Sequence, residues 1–435
     1  MMQRDPSLDA AHPEDEPDRT GPLSEASLLG APSTPSTPSG PASANAVPLP
    51  VNIYPALMGI LLAYGVLVVG NGLFATAIPF HALKYGASTL TVGVIQSCYY
   101  GGFLLGAFYN RTLIERIGQH RAFVAFTALA ALFVMGFAVS ETTLTLCALR
   151  LGTGVALMGM YTTVESWLNG SVPNAMRGRV FGSYLTINYL AVSTGQFLLN
   201  IGEAGSEGQL LLVAGLFVAA ILPITLMQGW PTRVADERLL KQPAISLFES
   251  ITEMARATPV AIPGCILAGF LYSAFYAIMP IYLTRIGLSI GSLSTLMGVA
   301  LFGALLMQWP VGRLSDRMDR RTLSRRLALA SAAFCAPLIV FQTHWLVFVM
   351  MFLFSAVNFT QYGLIVSHVN DRTVPERRVA ISATLLILFS VGGILGPMIA
   401  SAVVTLLGPR GLHVFNVVCA LALARTARRA QLLAP

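Results

Sequence analysis

The chain has 435 residues, of which 55% are apolar and 11% charged, and a formal net charge of +7. Soluble domains carry roughly 25% charged residues, so this balance excludes an ordinary water-soluble protein and points into a bilayer. The basic residues fall in short loops between apolar runs and form no soluble basic face, which argues against nucleic acid as a partner and for lipid.

Residues 1–50 differ in kind from the rest. Seven acids stand against Arg4 and Arg19, and a Pro/Ser/Thr run follows from Pro32 to Pro50. The stretch lacks the basic start and apolar core of a cleaved signal. Too little apolar surface is present to offset the entropy of ordering it, and a disordered cytoplasmic tail is expected.

From there on apolar segments recur. A spanning helix needs ~20 mostly apolar residues to cross the hydrocarbon core. The predicted segments are 53–79, 90–109, 122–139, 143–167, 180–201, 209–229, 259–283, 292–310, 324–342, 345–367, 379–407 and 411–425. The last is short: either snorkelling arginines extend it or it does not fully cross. Residues 51–229 are read as a first six-helix bundle, 230–258 as a cytoplasmic linker with an amphipathic stretch from Leu247 to Met254, and 259–435 as a second bundle.

Charge fixes an expected orientation. With the N-terminus inside, the inner loops and C-terminal tail hold 21 Lys/Arg, and the outer loops hold Lys84, Arg285 and Arg410. That asymmetry alternates loop by loop, as topology set by inside-held positive charge requires.

The sequence also repeats. A shift of 201 places Pro79 on Pro280, Lys84 on Arg285, Gly86 on Gly287, Ser88 on Ser289 and Gly102 on Gly303. The same shift puts Glu115-Arg116 on Asp316-Arg317. Two six-helix halves in the same orientation form the parallel repeat of one large transporter architecture. The expected fold class is therefore an all-α integral membrane protein of twelve transmembrane helices in two pseudo-symmetric six-helix bundles.

After the eighth segment the chain reads Gly312-Arg-Leu-Ser-Asp316-Arg317-Met-Asp319-Arg320-Arg321. This resembles the signature loop of the major facilitator superfamily, with Asp319 in place of the second glycine. The matching loop of the first half keeps Arg116 and Gly118 but has Glu115 for the acid and Arg111 for the first glycine. Three further stretches are similar to a bacterial, YcaD-like branch of that superfamily. They are Arg150-x3-Gly154 leading to Val164-Glu165-Ser166, Arg177-Gly178-Arg179 with Gly195-Gln196 beyond, and Gln308-Trp309-Pro310. The resemblance covers about residues 55–425 and implies a secondary transporter of unassigned substrate in the bacterial inner membrane.

Several residues could carry its chemistry. Asp316 can pair with arginines of a neighbouring helix when the inner side is closed, a latch that must break when the halves rock; Glu115 and Arg116 are its first-half counterpart. A plain topogenic loop is the alternative. Arg150 and Glu165 are the charges within the fourth segment, ~22 Å apart along a helix and too far to meet. Charges at such depth by default mark a pathway or a partner. The resemblance associates a helix-four arginine with proton coupling; the residues themselves leave Arg150 as a coupling or substrate group or as a structural one. Glu165 is either a proton carrier or a carboxylate tied to Arg177 or Arg179.

Neutral polar residues complete the set. Asn71, Gln96, Asn188, Gln196, Tyr272, Tyr276, Asn358 and Gln361 are cavity candidates, beside Tyr99, Tyr189 and Tyr362; the alternative for each is a helix–helix hydrogen bond. Gly392-Gly393-x2-Gly396-Pro397 is expected to bend the eleventh segment where backbones approach closely. All five cysteines lie in apolar segments without metal-ligand spacing. No phosphate-cradling loop, nucleophile–base pair or metal cluster occurs, so no cofactor, metal or enzyme activity is expected.

The reading is an alternating-access carrier of a small organic solute, driven by protons and acting as a monomer. Export of drug-like compounds is the alternative within the class; the Gly-Pro motif that known proton-driven exporters carry on helix five is absent here. A non-transporting sensor or scaffold is the alternative outside it, with the altered signature positions Arg111 and Asp319 as its support.

Overall fold

A computed structural model describes residues 53–172, 174–226, 247–374 and 377–432. The tail read at 1–50 and the linker as far as residue 246 lie outside the described residues.

The first half contains α1 (Ile53–Lys84), α2 (Thr89–Ile117), α3 (Gln119–Ala138), α4 (Thr143–Ser171), α5 (Asn174–Phe197) and α6 (Glu207–Thr225). A short helix α7 (Leu247–Ala257) precedes the second half. That half contains α8 (Ala261–Arg285), α9 (Ile290–Arg317), α10 (Arg320–Cys335), α11 (His344–Asn358), α12 (Gln361–Asn370), α13 (Arg378–Leu407) and α14 (Gly411–Leu432).

Among the described residues nine helices are long and apolar enough to cross a membrane, with α11 and α12 counting as one. The other three, α5, α10 and α14, complete twelve passes. Each carries a basic stretch at the same end of the bundle: Arg179 on α5, Arg320 to Arg326 on α10, and Arg425 to Arg429 on α14. Those charges lower the mean apolarity without stopping the helix.

Several segment boundaries differ from expectation, and two of the differences bear on whether a segment crosses as one helix. Helix α14 continues past Arg425 to Leu432, and its 22 residues span ~33 Å at the α-helical rise, enough for a crossing. The three arginines of its last turns are exposed and extend the helix beyond the apolar run. The tenth segment, expected as one helix over 345–367, is broken at Phe359-Thr360 into α11 and α12.

The internal repeat has a physical basis at the turns. Gly86 and Gly287, one offset apart, both adopt left-handed backbone (φ 76° and 86°), which a side chain would oppose. Two residues on, Ser88 accepts from the Thr91 amide and Ser289 from the Ser292 amide, capping α2 and α9 in the same way. Pro79 and Pro280 sit at matching depths inside α1 and α8.

The next corner breaks the symmetry. Gly118 ends α2 at φ 81°, whereas Asp319, at the matching position, has φ −55° and caps α10 through the Thr322 amide at 2.9 Å. The Asp319 carboxyl also meets Arg321 Nη2 at 3.2 Å. Partial burial by itself would raise its pKa, but the Thr322 amide and the Arg321 guanidinium outweigh that and hold it below the usual carboxylate range. The altered signature residue thus replaces a glycine turn with an N-cap.

Helix pairs close on glycine, as expected where lipid supplies no hydrophobic drive between helices. A Cβ on Gly102 would strike the Leu151 carbonyl of α4, and one on Gly154 the Tyr99 carbonyl of α2. Gly72 and Gly195 seam α1 to α5, and Gly269 and Gly392 seam α8 to α13. Helix α13 runs unbroken through Gly392, Gly393, Gly396 and Pro397, so that motif serves close approach within a continuous helix.

The halves meet along α2 with α13 and α5 with α9. Ser97 Oγ donates to the Ile394 carbonyl, Ser193 Oγ to the Gly298 carbonyl at 2.7 Å, and Ser294 Oγ to the Gln196 carbonyl at 2.7 Å. Arg285 reaches Thr89 Oγ1 across the same end. Among the described residues the bonds joining the halves run from this end to mid-depth, where Gln308 Nε2 donates to Tyr189 Oη at 2.9 Å. The bundle is therefore closed at the end bearing Lys84 and Arg285, and its halves separate toward the signature loops.

Candidate functional site

At the separated end the signature acids pair locally. Asp316, 74% exposed, lies 3.9 Å from Arg320 on the next helix, and Arg320 Nε binds Asp371 at 3.0 Å within the same half. Glu115 meets Arg111 at 2.8 Å one turn away. Among the described residues neither acid pairs with the opposite half. Gly312 has open space where a Cβ would stand, and Arg111 at the matching position is exposed. Arg317 and Arg116 are exposed on the last turns of α9 and α2.

Arg150 occupies a closed compartment. It is 3% exposed, and its Nε and Nη2 donate to Gln96 Oε1 at 3.1 and 2.8 Å. Gln96 Nε2 in turn donates to the Ala75 carbonyl at 3.0 Å. The rings of Phe74 and Tyr99 cover the guanidinium, each 4.6 Å from its carbon, as cation–π contacts require. Nη1 is enclosed without a hydrogen-bond partner, and no carboxylate among the described residues pairs with this arginine. The charge ties α1, α2 and α4 together behind an aromatic wall.

Glu165, six residues before the signature end of α4, has the opposite setting. Its side chain is exposed although protein surrounds it at longer range, so it borders open space inside the bundle. Its one hydrogen bond comes from Tyr184 Oη at 3.2 Å, and no ion pair reaches it among the described residues. Arg179 is exposed nearer the mouth, and the Arg177 side chain lies outside the described residues.

Tyrosines ring this carboxylate. Tyr64 packs on Tyr184 with centroids 4.5 Å apart and on Tyr161 at 6.0 Å. Tyr64 Oη donates to Asn188 Oδ1 at 2.7 Å, and Asn71 Nδ2 to Tyr161 Oη at 3.2 Å. The second half faces them with Tyr272, which touches Tyr276, Phe359 and Phe389 at 5.2, 5.0 and 5.4 Å, and with Tyr362 against Phe389 at 4.7 Å. Helix α8, which carries Tyr272 and Tyr276, packs against α1, which carries Tyr64 and Asn71.

The contacts thus tie Asn71, Asn188 and Glu165 to the Tyr64–Tyr161–Tyr184 cluster of the first half, and Tyr272 to Tyr276 in the second. Other candidates sit elsewhere. Gln196 is fully buried, accepting from Thr76 Oγ1 at 2.6 Å and donating to the Gly72 carbonyl at 2.7 Å. Gln361 is equally buried, bonded to Ser324 at 2.9 and 3.1 Å between α10 and α12. Asn358 is 4% exposed with an unpartnered Oδ1. Tyr64, Tyr161 and Tyr184 were not singled out by sequence, yet a signal existed. Tyr161 precedes Glu165 by one helical turn, Tyr184 precedes Asn188 by one, and Tyr64 precedes Asn71 by two.

Residues 60–397 match the family model described as Major Facilitator Superfamily. Curated relatives in Escherichia coli strains, called uncharacterized MFS-type transporter YcaD, are 28% identical over 350 residues, or 78% of this chain and 86% of theirs. Among solved structures, the chain is similar to a bacterial homolog of the human lysosomal transporter Spinster, with TM-score 0.69 and 14% identity over 86% of this chain and 95% of that one. It is also similar to the nucleoside transporter NupG (TM-score 0.70, 13% identity, 86% and 99% coverage). The fucose:proton symporter FucP of E. coli aligns at TM-score 0.57 with 14% identity over 86% and 98% of the two chains.

Proposed function

Because the chain belongs to the Major Facilitator Superfamily, and is therefore a secondary transporter and not an enzyme, we propose that it moves a small organic solute across the bacterial inner membrane by proton-coupled alternating access. In this reading the basic signature end is cytoplasmic, as is the N-terminus, and the conformation described above faces inward.

The observation that carries the coupling is the setting of Glu165. A carboxyl with one neutral donor, open space before it and no cationic partner among the described residues can gain or lose a proton without breaking an ion pair. Arg150 is given a positioning role: it fixes the α1–α2–α4 wall and has no exposed surface to meet a solute in this state. The signature acids act as the inner latch, released here and paired within their own halves.

Two observations bear on the rivals. The aromatic lining favours drug-like solutes as a second reading. The Asp319 cap weakens the sensor reading, because the altered signature residue still builds the corner between α9 and α10.

The test is proton movement in sealed proteoliposomes carrying an internal pH dye, as pooled metabolites and drugs are added, with wild type beside Glu165→Gln. A pool that moves protons in the wild type alone supports the assignment. Flux surviving in Glu165→Gln moves the proton elsewhere, and no flux from any pool with folded protein removes the transport coupling.

A further inference from the structure

We infer that the solute bound beside Glu165 is a monovalent organic cation with aromatic or bulky apolar groups, held between the tyrosine walls and exchanged there for a proton. The inference rests on the transport reading above and adds the chemical class of the cargo.

Glu165 is the ionisable acid bordering the space, and it has no cationic partner among the described residues. The group that touches it is the Tyr184 phenol of α5, and Tyr64 of α1 packs on Tyr184 and on Tyr161 of Glu165's own helix. Arg150, which from sequence leaned toward anionic cargo, is sealed behind Phe74 and Tyr99. An anion entering this space would meet an acid and electron-rich ring faces. A cation would meet a carboxylate and rings that attract it through their quadrupoles, more strongly where water is scarce.

The hydrogen bonds make the same selection. Two of the phenols already have their oxygens committed, Tyr64 to Asn188 and Tyr184 to Glu165, at 2.7 and 3.2 Å. These bonds fix two buried rings and take up their donors, while Tyr161, Tyr272 and Tyr362 are the half-buried aromatic side chains of the two walls. A sugar or nucleoside needs converging donors and acceptors in number; the aromatic walls offer breadth and a single charge. Charge conservation supplies the exchange. Protonated Glu165 plus a monovalent cation becomes the carboxylate–cation pair plus one free proton, so one proton leaves for each cation that binds.

The experiment uses the full chain purified in detergent, in weak buffer with a pH dye, and tetraphenylphosphonium as probe. Tetraphenylborate, of the same shape and opposite charge, is the comparison. The expected result is saturable tetraphenylphosphonium binding with release of protons, at affinity at least tenfold above that for tetraphenylborate. Glu165→Gln is expected to lose tenfold or more in affinity and all proton release. Glu165→Asp keeps the release. Equal binding of the anion, undiminished binding in folded Glu165→Gln, or no binding of the cation to folded wild type would each overturn the inference. Binding in detergent requires no cycling, so such a failure beside intact Glu165-dependent flux from another pool removes the cation assignment alone.

Discussion

Gly93 is the position where one methyl group should move the conformational equilibrium. It faces α13 at the closed end, and a Cβ there would stand 2.7 Å from the Pro397 carbonyl and press on Ser401 Oγ. The Pro397 carbonyl is backbone of a continuous helix and cannot turn aside, so Gly93→Ala must separate α2 from α13 or distort one of them. Inserting a methyl group into such packing costs about 1–3 kcal/mol. Only the closed-end-closed state bears that cost, so the population open at this end rises by roughly 5- to 150-fold. Ser294→Cys is a suitable reporter in a background with Cys98 and Cys147 changed to serine. Ser294 is fully buried on α9 and bonded across the halves to the Gln196 carbonyl. Labelling by an impermeant maleimide from the Lys84 side should accelerate by the same factor. Gly101→Ala is the control, because a Cβ at Gly101 meets nothing within 4 Å. An unchanged labelling rate in Gly93→Ala, with lowered thermal stability, would refute the reasoning. The seam would then be packed but not part of what moves.

Asp319→Ala removes the α10 N-cap and should destabilise the protein by about 1 kcal/mol in thermal unfolding at neutral pH. Because the Asp319 carboxyl is held below its ordinary range, this contribution is complete above the unfolded-state pKa and lost as pH falls through the folded one. Wild type and Asp319→Ala should therefore converge in acid, and a gap that widens there would contradict the cap. Gln96→Leu strands the Arg150 guanidinium and should cost about 1–3 kcal/mol or more. Arg150→Met removes the buried charge with its need for a partner and should be neutral or stabilising. Equal destabilisation by both would mean that the arginine itself is a stability element.

Much of the fold was legible because bilayers impose strict rules on length and charge. The turns at Gly86-x-Ser88 and Gly287-x-Ser289 were visible as an offset before their φ angles and caps explained it. Helix ends were less so. Helix α5 starts at Asn174, six residues before its apolar run, because Arg177-Gly178-Arg179 can extend a helix into polar surroundings as well as end one. The break between α11 and α12 has no proline or glycine at Phe359-Thr360 to announce it. The site was legible only in part. Arg150 and Glu165 stood out as charges within a span, but sequence cannot say that one faces a wall and the other a cavity. Buried glutamines such as Gln196 and Gln361 share the polarity of cavity residues, and only packing separates a helix tie from a solute contact. The tyrosine walls draw on helices far apart in the chain, and no single periodicity contains them.

The two ends of the bundle are joined by different materials. At the Lys84 end, hydroxyl-to-carbonyl bonds such as Ser193 to Gly298 lie in glycine-fitted seams, while the signature end offers acids and arginines. Ions in solution screen exposed charges over about 8 Å at physiological strength but leave buried dipoles almost untouched. A rise in salt therefore loosens one door of the passage and spares the other, making ionic strength a one-sided bias on which way the empty protein rests. A salt titration of Ser294→Cys labelling would expose that bias as a steady slowing, because weakening the far latch favours the state closed at this end.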